Sequence, residues 1–269
     1  MTDKSLYDLS IFALNLAMHA GEIMMQERSL HPLQHQYKNN DELVTQADIK
    51  VDEFITKQIR KNYPEHRIVS EEGSPDYASL GKDDRPTWII DPIDGTVNYA
   101  HHQFNSAVSI AYAEKGTVQV GVVHCPFLRE TFHALRGTYV VMNHKPIQVS
   151  GQTDLRRALI ATGFPYHKED NPILIRRLGS ILDHCQDIRR LGSAAIDICW
   201  VAMGRLDGYY ETLKPWDFAA ARLIAEEAGA TCGHFSDVPE QEVPEFYGSD
   251  ILITTPELFQ GLRGLLLAG

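Results

Sequence analysis

The stretch Trp88-Ile89-Ile90-Asp91-Pro92-Ile93-Asp94-Gly95-Thr96-Val97-Asn98 decides how this chain folds. In it, an apolar, strand-like run leads directly into two carboxylates, a glycine and a hydroxyl. A second short apolar run, Ile68-Val69, leads into the acidic pair Glu71-Glu72. Two strands that each end in acidic residues predict a cluster of carboxylates at one edge of a sheet.

A cluster of carboxylates is difficult to maintain without a cation. Two carboxylates about 4 Å apart repel each other by roughly 4 kcal/mol at an effective dielectric of about 20, and the stability of a whole domain is on the order of 5–15 kcal/mol. Either some of the acids hold protons or a divalent metal neutralises them. Carboxylates that act together with phosphate suit Mg²⁺. Solvated loop charges are the ordinary explanation of such a turn, but Glu71-Glu72 and Asp217 favour the metal.

Composition excludes several classes of protein. The 269 residues, 43% of them hydrophobic, suffice for one large domain or two small ones. A net charge of −11 disfavours nonspecific binding to nucleic acid, and we interpret the pairs Arg176-Arg177 and Arg189-Arg190 as surface or interface charges. Four scattered cysteines predict reduced thiols in a cytoplasmic protein rather than disulfides or a zinc site. We expect no signal peptide and no membrane span.

Periodicity predicts helices in both halves of the chain. Apolar residues at helical spacing predict a first helix from Ser5 to about Glu27. Thr45 and Asp48 offer capping groups for a second helix that ends near Tyr63-Pro64. Four further helices are predicted over Pro172 to Cys185, Ser193 to Met203, Asp217 to Ala228 and Pro256 to Leu266.

The strands are predicted in two groups. Ile68 to Ser70 and Trp88 to Asp91 flank a polar loop, Gly73 to Pro86, which we expect to be mobile. An antiparallel meander follows over Val108 to Ile110, Val118 to Val123, Thr131 to Leu135 and Tyr139 to Met142. In the second half, strands alternate with helices at Leu159 to Ala161, Asp187 to Arg190, Leu206 to Tyr210 and Ile251 to Thr254. The pattern predicts a mixed, layered α/β fold.

The turn Asp94-Gly95-Thr96 predicts an anion site beside the carboxylates. Free N–H groups at a helix start bind anions, and a glycine lets a phosphate approach the backbone. Metal and phosphate together suggest phosphoryl chemistry. The haloacid-dehalogenase pattern Asp-x-Asp-Gly-Thr does not fit, because the two aspartates are three apart and the nucleophile position holds a side chain that cannot attack. We also find no Gly-x-Gly-x-x-Gly, Gly-x-Ser-x-Gly or His-Glu-x-x-His motif.

Two further residues stand at predicted helix starts. Asp217 follows Lys214-Pro215-Trp216, and it could cap the helix with one oxygen and ligate a metal with the other. Ser193 is interpreted as a helix N-cap whose hydroxyl satisfies a backbone donor. His101-His102 is at best a feature of the rim of the site.

These elements resemble the inositol monophosphatase family. Asp91 to Asn98 matches the first signature of the family, and Trp216 to Ala221 with Glu227 to Gly229 is similar to its second. Further matching segments follow in the expected order at Leu43 to Asp48, Ser70 to Gly73 and Leu191 to Ala195. The resemblance extends from about Leu6 to the C-terminal helix and is strongest to bacterial members.

The resemblance implies an α/β (α+β) fold, a layered α-β-α-β-α sandwich of the inositol monophosphatase and fructose-1,6-bisphosphatase type. It implies a single phosphatase domain over residues 1–269, with the antiparallel sheet and metal motif in about 1–149 and an α/β layer in about 150–269. It further implies a cytoplasmic homodimer with Mg²⁺-dependent, Li⁺-sensitive phosphomonoesterase activity and about two or three Mg²⁺ ions per active site.

The resemblance also implies the metal ligands. Glu71, Asp91 and the carbonyl of Ile93 would hold the first metal. Asp91, Asp94 and Asp217 would hold the second. One ion would activate the attacking water and the other would stabilise the leaving oxygen.

The remaining roles are implied in the same way. Glu71 and Thr96 would orient the water, with Asp48 behind Thr96. Gly95 and Thr96 would bind the phosphate. The rest of the substrate would contact residues of the second half, namely Gly192, Ser193, Ala194, Glu211 and Asp217.

Substrate identity stays open. Tyr99, where the family commonly has Phe, and the segment Glu211 to Pro215 could alter the substrate pocket, and His144 replaces a turn glycine. The expected substrate is inositol monophosphate or a related polyol phosphate; the alternatives are a histidinol-phosphate, fructose-bisphosphate or adenosine-bisphosphate phosphatase. Some bacterial members of the family also bind the transcription machinery, so a transcription-complex partner is a further alternative.

Overall fold

The apolar run before Asp91 forms a strand within a seven-stranded sheet. The structure is a computed structural model that describes residues 5–30, 36–38, 42–73, 76–164 and 171–269. The sheet contains, in spatial order, β3 (Arg67–Ser70), β4 (Thr87–Asp94), β5 (Ala107–Glu114), β6 (Thr117–Cys125), β7 (Glu130–Leu135), β8 (Tyr139–Met142) and β9 (Lys145–Pro146). β3 and β4 are parallel and the other neighbours are antiparallel, so the predicted meander is confirmed.

The second half of the chain forms a five-stranded sheet. Its strands, in spatial order, are β11 (Asp187–Arg189), β10 (Leu159–Thr162), β12 (Gly208–Glu211), β14 (Ile251–Thr254) and β13 (Thr231–His234). β10 is parallel to both of its neighbours, and β14 is antiparallel to both of its own. A separate hairpin pairs β1 (Gln36–Lys38) with β2 (Glu42–Val44).

Helices cover and separate the two sheets. They are α1 (Leu6–Leu30), α2 (Gln46–Asn62), α3 (Thr96–Ala100), α4 (Asn171–His184), α5 (Ala194–Ala202), α6 (Pro215–Glu227) and α7 (Phe259–Ala268). α1 and α2 pack on the seven-stranded sheet, α5 and α6 contact both sheets, and α4 and α7 pack on the five-stranded sheet. This order of layers is the predicted α-β-α-β-α sandwich.

β4 is buried along its whole length because it lies between two hydrophobic clusters. Trp88 and Ile90 pack in the cluster under α1 and α2, whereas Ile89 packs in the cluster under α5 and α6. A strand buried on both faces has a continuous apolar run rather than alternation. This explains why the stretch around Asp91 is apolar on both faces until its carboxylates begin.

Several boundaries and turns differ from, or refine, the sequence prediction. The first helix runs three residues beyond the predicted Glu27, to Leu30. β13 was not predicted, because Thr231-Cys232-Gly233-His234 lacks apolar alternation. His144 adopts a φ of 65°, the left-handed conformation expected where the family has a glycine.

All four cysteines are free thiols. Among the described helices, none combines the length and apolar character needed to cross a bilayer.

Residues 76–86 of the loop expected to be mobile have defined contacts, and residues 74–75 lie outside the described residues. Arg67 on β3 donates to Ser79 Oγ at 2.8 Å and to the Asp76 carbonyl. Leu80 is buried, and its N–H donates to the Tyr77 carbonyl at 3.0 Å. The described part of this loop is therefore fastened to the body of the protein.

Close packing of α6 on β6 gives a testable prediction. A Cβ atom added at Gly121 would lie 2.5 Å from the Ala220 backbone oxygen, so Gly121→Ala should destabilise the protein by about 1–3 kcal/mol. Gly179→Ala in α4 meets nothing within 4 Å and should stabilise by about 0.5–1 kcal/mol. Urea unfolding of both variants checks this, and equal stability of the two would contradict the proposed close approach.

Candidate active site

The pairing of β3 with β4 places the first two carboxylates side by side. Ser70 pairs with Ile90 in parallel register, so Glu71 and Asp91 follow at the same edge of the sheet. The two carboxyl groups lie within hydrogen-bonding reach of each other. The sequence prediction that two strand ends form one acidic cluster is confirmed for this pair.

A bulge in β4 brings Asp94 to the same place. Asp91 pairs with Ser109 and Asp94 with Ala107, so β4 has one extra residue between these positions. A bulge of this kind redirects side chains at the end of a strand. Asp94 Oδ2 accepts hydrogen bonds from Ser193 Oγ at 2.5 Å and from the Ala195 N–H at 2.8 Å. Asp94 thereby joins the end of β4 to the start of α5.

Asp217 comes from the first turn of α6, as predicted, but it is not the N-cap. Lys214 is the N-cap, and Asp217 is the third helical residue. Asp217 Oδ2 accepts a hydrogen bond from the Lys214 N–H at 2.8 Å. Asp217 therefore acts as the N3 residue of a capping box, whose side chain accepts a hydrogen bond from the N-cap backbone. This bond uses Oδ2, so a ligand can take Oδ1.

Burial and mutual repulsion raise the pKa values of these carboxyls. Burial first, and then the charges of Glu71 and Asp94, raise the pKa of Asp91 well above its ordinary value. Burial and the charge of Asp94 likewise raise the pKa of Asp217. Burial raises the pKa of Asp94 to about 6, against the opposing hydrogen bond from Ser193. Among Glu71, Asp91, Asp94 and Asp217, charge is therefore costly unless a cation is present.

Asp48 lies directly behind Thr96. Asp48 Oδ2 accepts hydrogen bonds from the Thr45 N–H at 2.8 Å and from Thr45 Oγ1 at 2.5 Å. Thr96 Oγ1 lies 3.1 Å from Asp48 Oδ1 and 3.0 Å from the Ile93 carbonyl oxygen. Burial raises the pKa of Asp48 to about 6. A hydroxyl that donates to Asp48 has its own lone pairs available to accept a hydrogen bond from water.

Gly95 is required by both conformation and space. Its φ is 88°, in the left-handed region, and a Cβ there would lie 2.7 Å from the Asn105 backbone oxygen. The glycine precedes α3, a helix of only one turn. Asn98 on α3 donates through Nδ2 to the carbonyls of Asn105 at 2.8 Å and Leu191 at 2.7 Å. Asn98 thus connects the two halves of the site, a function that the sequence did not reveal.

The start of α5 contacts Asp94 more than the sequence suggested. Ser193 is the predicted N-cap, and its oxygen accepts from the Ile196 N–H at 3.3 Å. Its hydroxyl and the Ala194 N–H donate to Asp94 in this structure, whereas the backbone of this segment was predicted to meet the substrate. Gly192 beside them has a φ of 89°. This segment therefore positions a predicted metal ligand.

Glu211 ends β12 and is held from two sides. Tyr209, two residues earlier on the same face of the strand, donates its hydroxyl hydrogen to Glu211. A Cβ added at Gly163 would lie 2.1 Å from both carboxylate oxygens of Glu211. Burial raises the pKa of Glu211 to about 7. We identified Glu211 from the sequence, but not Tyr209 or Gly163. The two-residue spacing of Tyr209 and Glu211, which puts both on one face of a strand, could have indicated Tyr209; nothing in the sequence indicated Gly163.

Tyr99, which we named as a residue that could alter the substrate pocket, is a core residue. Its ring is completely buried, and its hydroxyl donates to the Met24 carbonyl at 2.8 Å. Tyr99 therefore fastens α3 to α1. His102 is exposed, and its Nδ1 accepts from Arg28 Nε at 3.3 Å.

The donor set fits a hard divalent cation. Carboxylates from Glu71, Asp91, Asp94 and Asp217, with the Ile93 carbonyl, are oxygen ligands of the kind that Mg²⁺ prefers. The pKa values of Asp91, Asp94 and Asp217 are raised, as expected for acids that lack a neutralising charge. Within the described ranges, no three acidic, histidine or cysteine side chains already form a closed set of metal ligands. Side-chain adjustment would therefore accompany binding.

Comparison with known proteins gives a consistent result. Residues 6–261 match the model of the inositol monophosphatase family. The chain is 39% identical over 228 residues to Nus factor SuhB of Pasteurella multocida, with 83% of this chain and 84% of that protein covered.

Solved structures agree in fold and extent. The Thermotoga maritima IMPase is 30% identical, with a TM-score of 0.85 and 97% of each chain covered. SaIMPase-II, a staphylococcal IMPase solved with bound inositol monophosphate, is 28% identical, with a TM-score of 0.79 and coverage of 96% of this chain and 92% of that one.

The raised carboxyl pKa values give a prediction about stability. In the metal-free protein, the stability that protonation of Asp94 contributes is lost as the pH rises through about 6. Mg²⁺ binds the deprotonated carboxylates, so it should raise the melting temperature more at about pH 8 than at about pH 5.5.

Differential scanning fluorimetry with and without Mg²⁺ measures this shift. Asp94→Asn should reduce it, whereas the control Asp187→Asn, at a half-exposed side chain on β11, should not. An equal shift in Asp94→Asn and in the wild type, or a larger shift at acidic pH, would contradict the assignment of Asp94 to the cation site.

Proposed function

Because the chain belongs to the inositol monophosphatase family, we propose that it is a Mg²⁺-dependent phosphomonoesterase acting on inositol monophosphate or a related polyol phosphate. The observation that carries the proposal is the convergence of Glu71, Asp91, Asp94 and Asp217 beside the Gly95 turn. The similarity to SaIMPase-II, which was solved with inositol monophosphate, supports this substrate class.

The four carboxylates and the Ile93 carbonyl would hold the metal. When bound, Mg²⁺ activates water and offsets the charge that develops on the phosphoryl and leaving oxygens. Glu71 and Thr96 would orient the attacking water. Neither needs to act as a nucleophile.

Thr96 would bind the attacking water, and Asp48 would fix the orientation of the Thr96 hydroxyl. With its hydrogen directed to Asp48, Thr96 Oγ1 presents a lone pair to a water hydrogen and fixes the direction of attack. Because the pKa of Asp48 is about 6, its carboxylate is mostly ionised at neutral pH and accepts the Thr96 hydrogen.

The polyol end of the substrate would meet Glu211. A partly buried carboxylate that is fixed by Tyr209 is suited to accept hydrogen bonds from hydroxyl groups. With the pKa of Glu211 near 7, the acceptor form increases as the pH rises through neutrality. The substrate phosphate would lie against the Gly95 and Thr96 backbone.

We further propose a cytoplasmic homodimer. Large apolar side chains are exposed next to Asn98 and next to its hydrogen-bond partner Asn105. Val97 is 42% exposed and Phe104 is 61% exposed. Exposed aromatic residues of this kind are typical of protein interfaces.

A second function, in a transcription complex, is favoured by a separate observation. The similar Pasteurella multocida protein is named Nus factor SuhB. The net charge of −11 disfavours direct contact with nucleic acid, so such a role would use protein contacts.

The phosphatase proposal predicts the effect of one substitution. Asp94→Asn should reduce kcat/KM for myo-inositol 1-phosphate by more than about 100-fold, because the metal loses a charged ligand. Release of inorganic phosphate measures this, with Asp187→Asn as the control. Full Mg²⁺-dependent turnover by Asp94→Asn would exclude this site, and faster hydrolysis of histidinol phosphate or a nucleotide would exclude the substrate class.

The transcription proposal predicts that binding and catalysis separate. RNA polymerase should copurify from the native cell equally with the wild-type chain and with Asp94→Asn, since surface contacts do not need the buried cluster. Quantified pull-downs against a tag-only control measure this. Failure of both chains to retain polymerase would contradict the second function.

A further inference from the structure

Tyr77 contacts the segment that carries Asp217. Lys214 Nζ donates to the Tyr77 hydroxyl at 3.0 Å and lies 5.5 Å from the centroid of the Tyr77 ring. The Trp216 ring meets the same ring edge-on, with centroids 5.3 Å apart and an interplanar angle of 87°. One side chain of the 76–86 loop therefore contacts both the N-cap of α6 and the residue directly before Asp217.

These contacts act on the Asp217 carboxylate through the backbone. The Lys214 N–H donates to Asp217 Oδ2 at 2.8 Å, and the Asp217 N–H donates to the Lys214 carbonyl at 3.0 Å. These two hydrogen bonds tie the position of the Asp217 carboxylate to that of the Lys214 backbone. The Trp216 carbonyl accepts from Ser109 Oγ at 3.2 Å, which fixes the same turn to β5.

The other side of Tyr77 is attached to the strand that leads to Glu71. The Leu80 N–H donates to the Tyr77 carbonyl at 3.0 Å, and Leu80 is 4% exposed. Arg67, the first residue of β3, donates to Ser79 Oγ at 2.8 Å. The loop that carries Tyr77 is therefore attached to the first residue of β3, at the end of that strand opposite Glu71.

We propose that Tyr77 is a positioning residue that holds the Lys214–Trp216 turn and thereby keeps Asp217 in place to ligate a divalent cation. The proposal rests on the metal site of the proposed function. Tyr77 acts through Lys214 and Trp216 rather than by contact with the substrate. Carboxylates that repel one another separate when a restraint is removed, so loss of the Tyr77 contact weakens cation binding.

The size of the effect follows from the contacts. Tyr77→Phe removes the hydroxyl that Lys214 contacts but keeps the ring beside Trp216, so the Kd for Mg²⁺ should increase by about three- to tenfold. Tyr77→Ala also removes the ring, and the increase should be larger because the aromatic and cation–π contacts are lost as well.

The experiment is a calorimetric titration of the metal-free, full-length protein with MgCl₂ in the absence of substrate. Wild type, Tyr77→Phe and Tyr77→Ala are compared with Lys82→Met. Lys82 belongs to the same loop, and its Nζ lies 3.5 Å from Glu242 Oε2, so this control loosens the loop without touching the Asp217 turn. Lys82→Met should change the Kd by less than about twofold.

A kinetic measurement separates positioning from substrate binding. At saturating Mg²⁺, KM for the phosphorylated substrate should stay within about twofold in Tyr77→Phe, whereas the Mg²⁺ concentration for half-maximal activity rises with the Kd. Melting temperatures establish that each variant is folded, and Tyr77→Phe, which keeps the ring, carries the test if Tyr77→Ala does not fold.

Three outcomes would overturn the inference. An unchanged Kd in Tyr77→Phe, with Mg²⁺ bound normally by the wild type, would leave the proposed function intact and exclude a positioning role. An equal loss in Lys82→Met would show that any attachment of the loop has the same effect. A wild-type protein that binds no Mg²⁺ would exclude the proposed function together with this inference.

Discussion

Electrostatic repulsion among four converging carboxylates is the constraint on which the rest of this structure depends. Glu71 and Asp91 are adjacent because their strands are parallel and in register, and a one-residue bulge adds Asp94. Repulsion of roughly 4 kcal/mol for each close pair of ionised carboxylates is a large fraction of the free energy of unfolding of a typical domain. Some of these acids must therefore hold protons, or other groups or a bound cation must compensate their charges.

The compensation within the protein is partial and unequal. The N-termini of α5 and α6 both point toward the cluster, and their N–H groups carry partial positive charge. Asp94 takes direct hydrogen bonds from α5, and its pKa rises only to about 6. Asp91 is buried among the other acids, and its pKa rises much further. Deeper in the site, Asp197 Oδ1 is buried without a hydrogen-bond partner among the described residues, which adds to the excess of acid.

The sequence predicted the acidic edge because it depends on local features. Apolar runs that end in Glu71 and Asp91 define two strand ends. The parallel register of these neighbouring strands then brings the two carboxyl groups together. Contacts between distant segments were not predictable, since the bond from Ser193 to Asp94 joins positions on different layers of the sandwich. The bond from the Tyr99 hydroxyl to the Met24 carbonyl on α1 was not predictable for the same reason.

The sign of the charge also determines how a phosphate can enter the site. A phosphate monoester carries about −1.5 to −2 charges at neutral pH, and backbone N–H groups near Gly95 offer only partial charges. Four carboxylates at the same place would repel such a ligand unless divalent ions lay between them. For the proposed phosphatase, the affinities for metal and for substrate are therefore coupled, and each ligand raises the affinity for the other by the same factor. If the Gly95 turn binds the phosphate as proposed, the acidic cluster beside it requires a cation between the two.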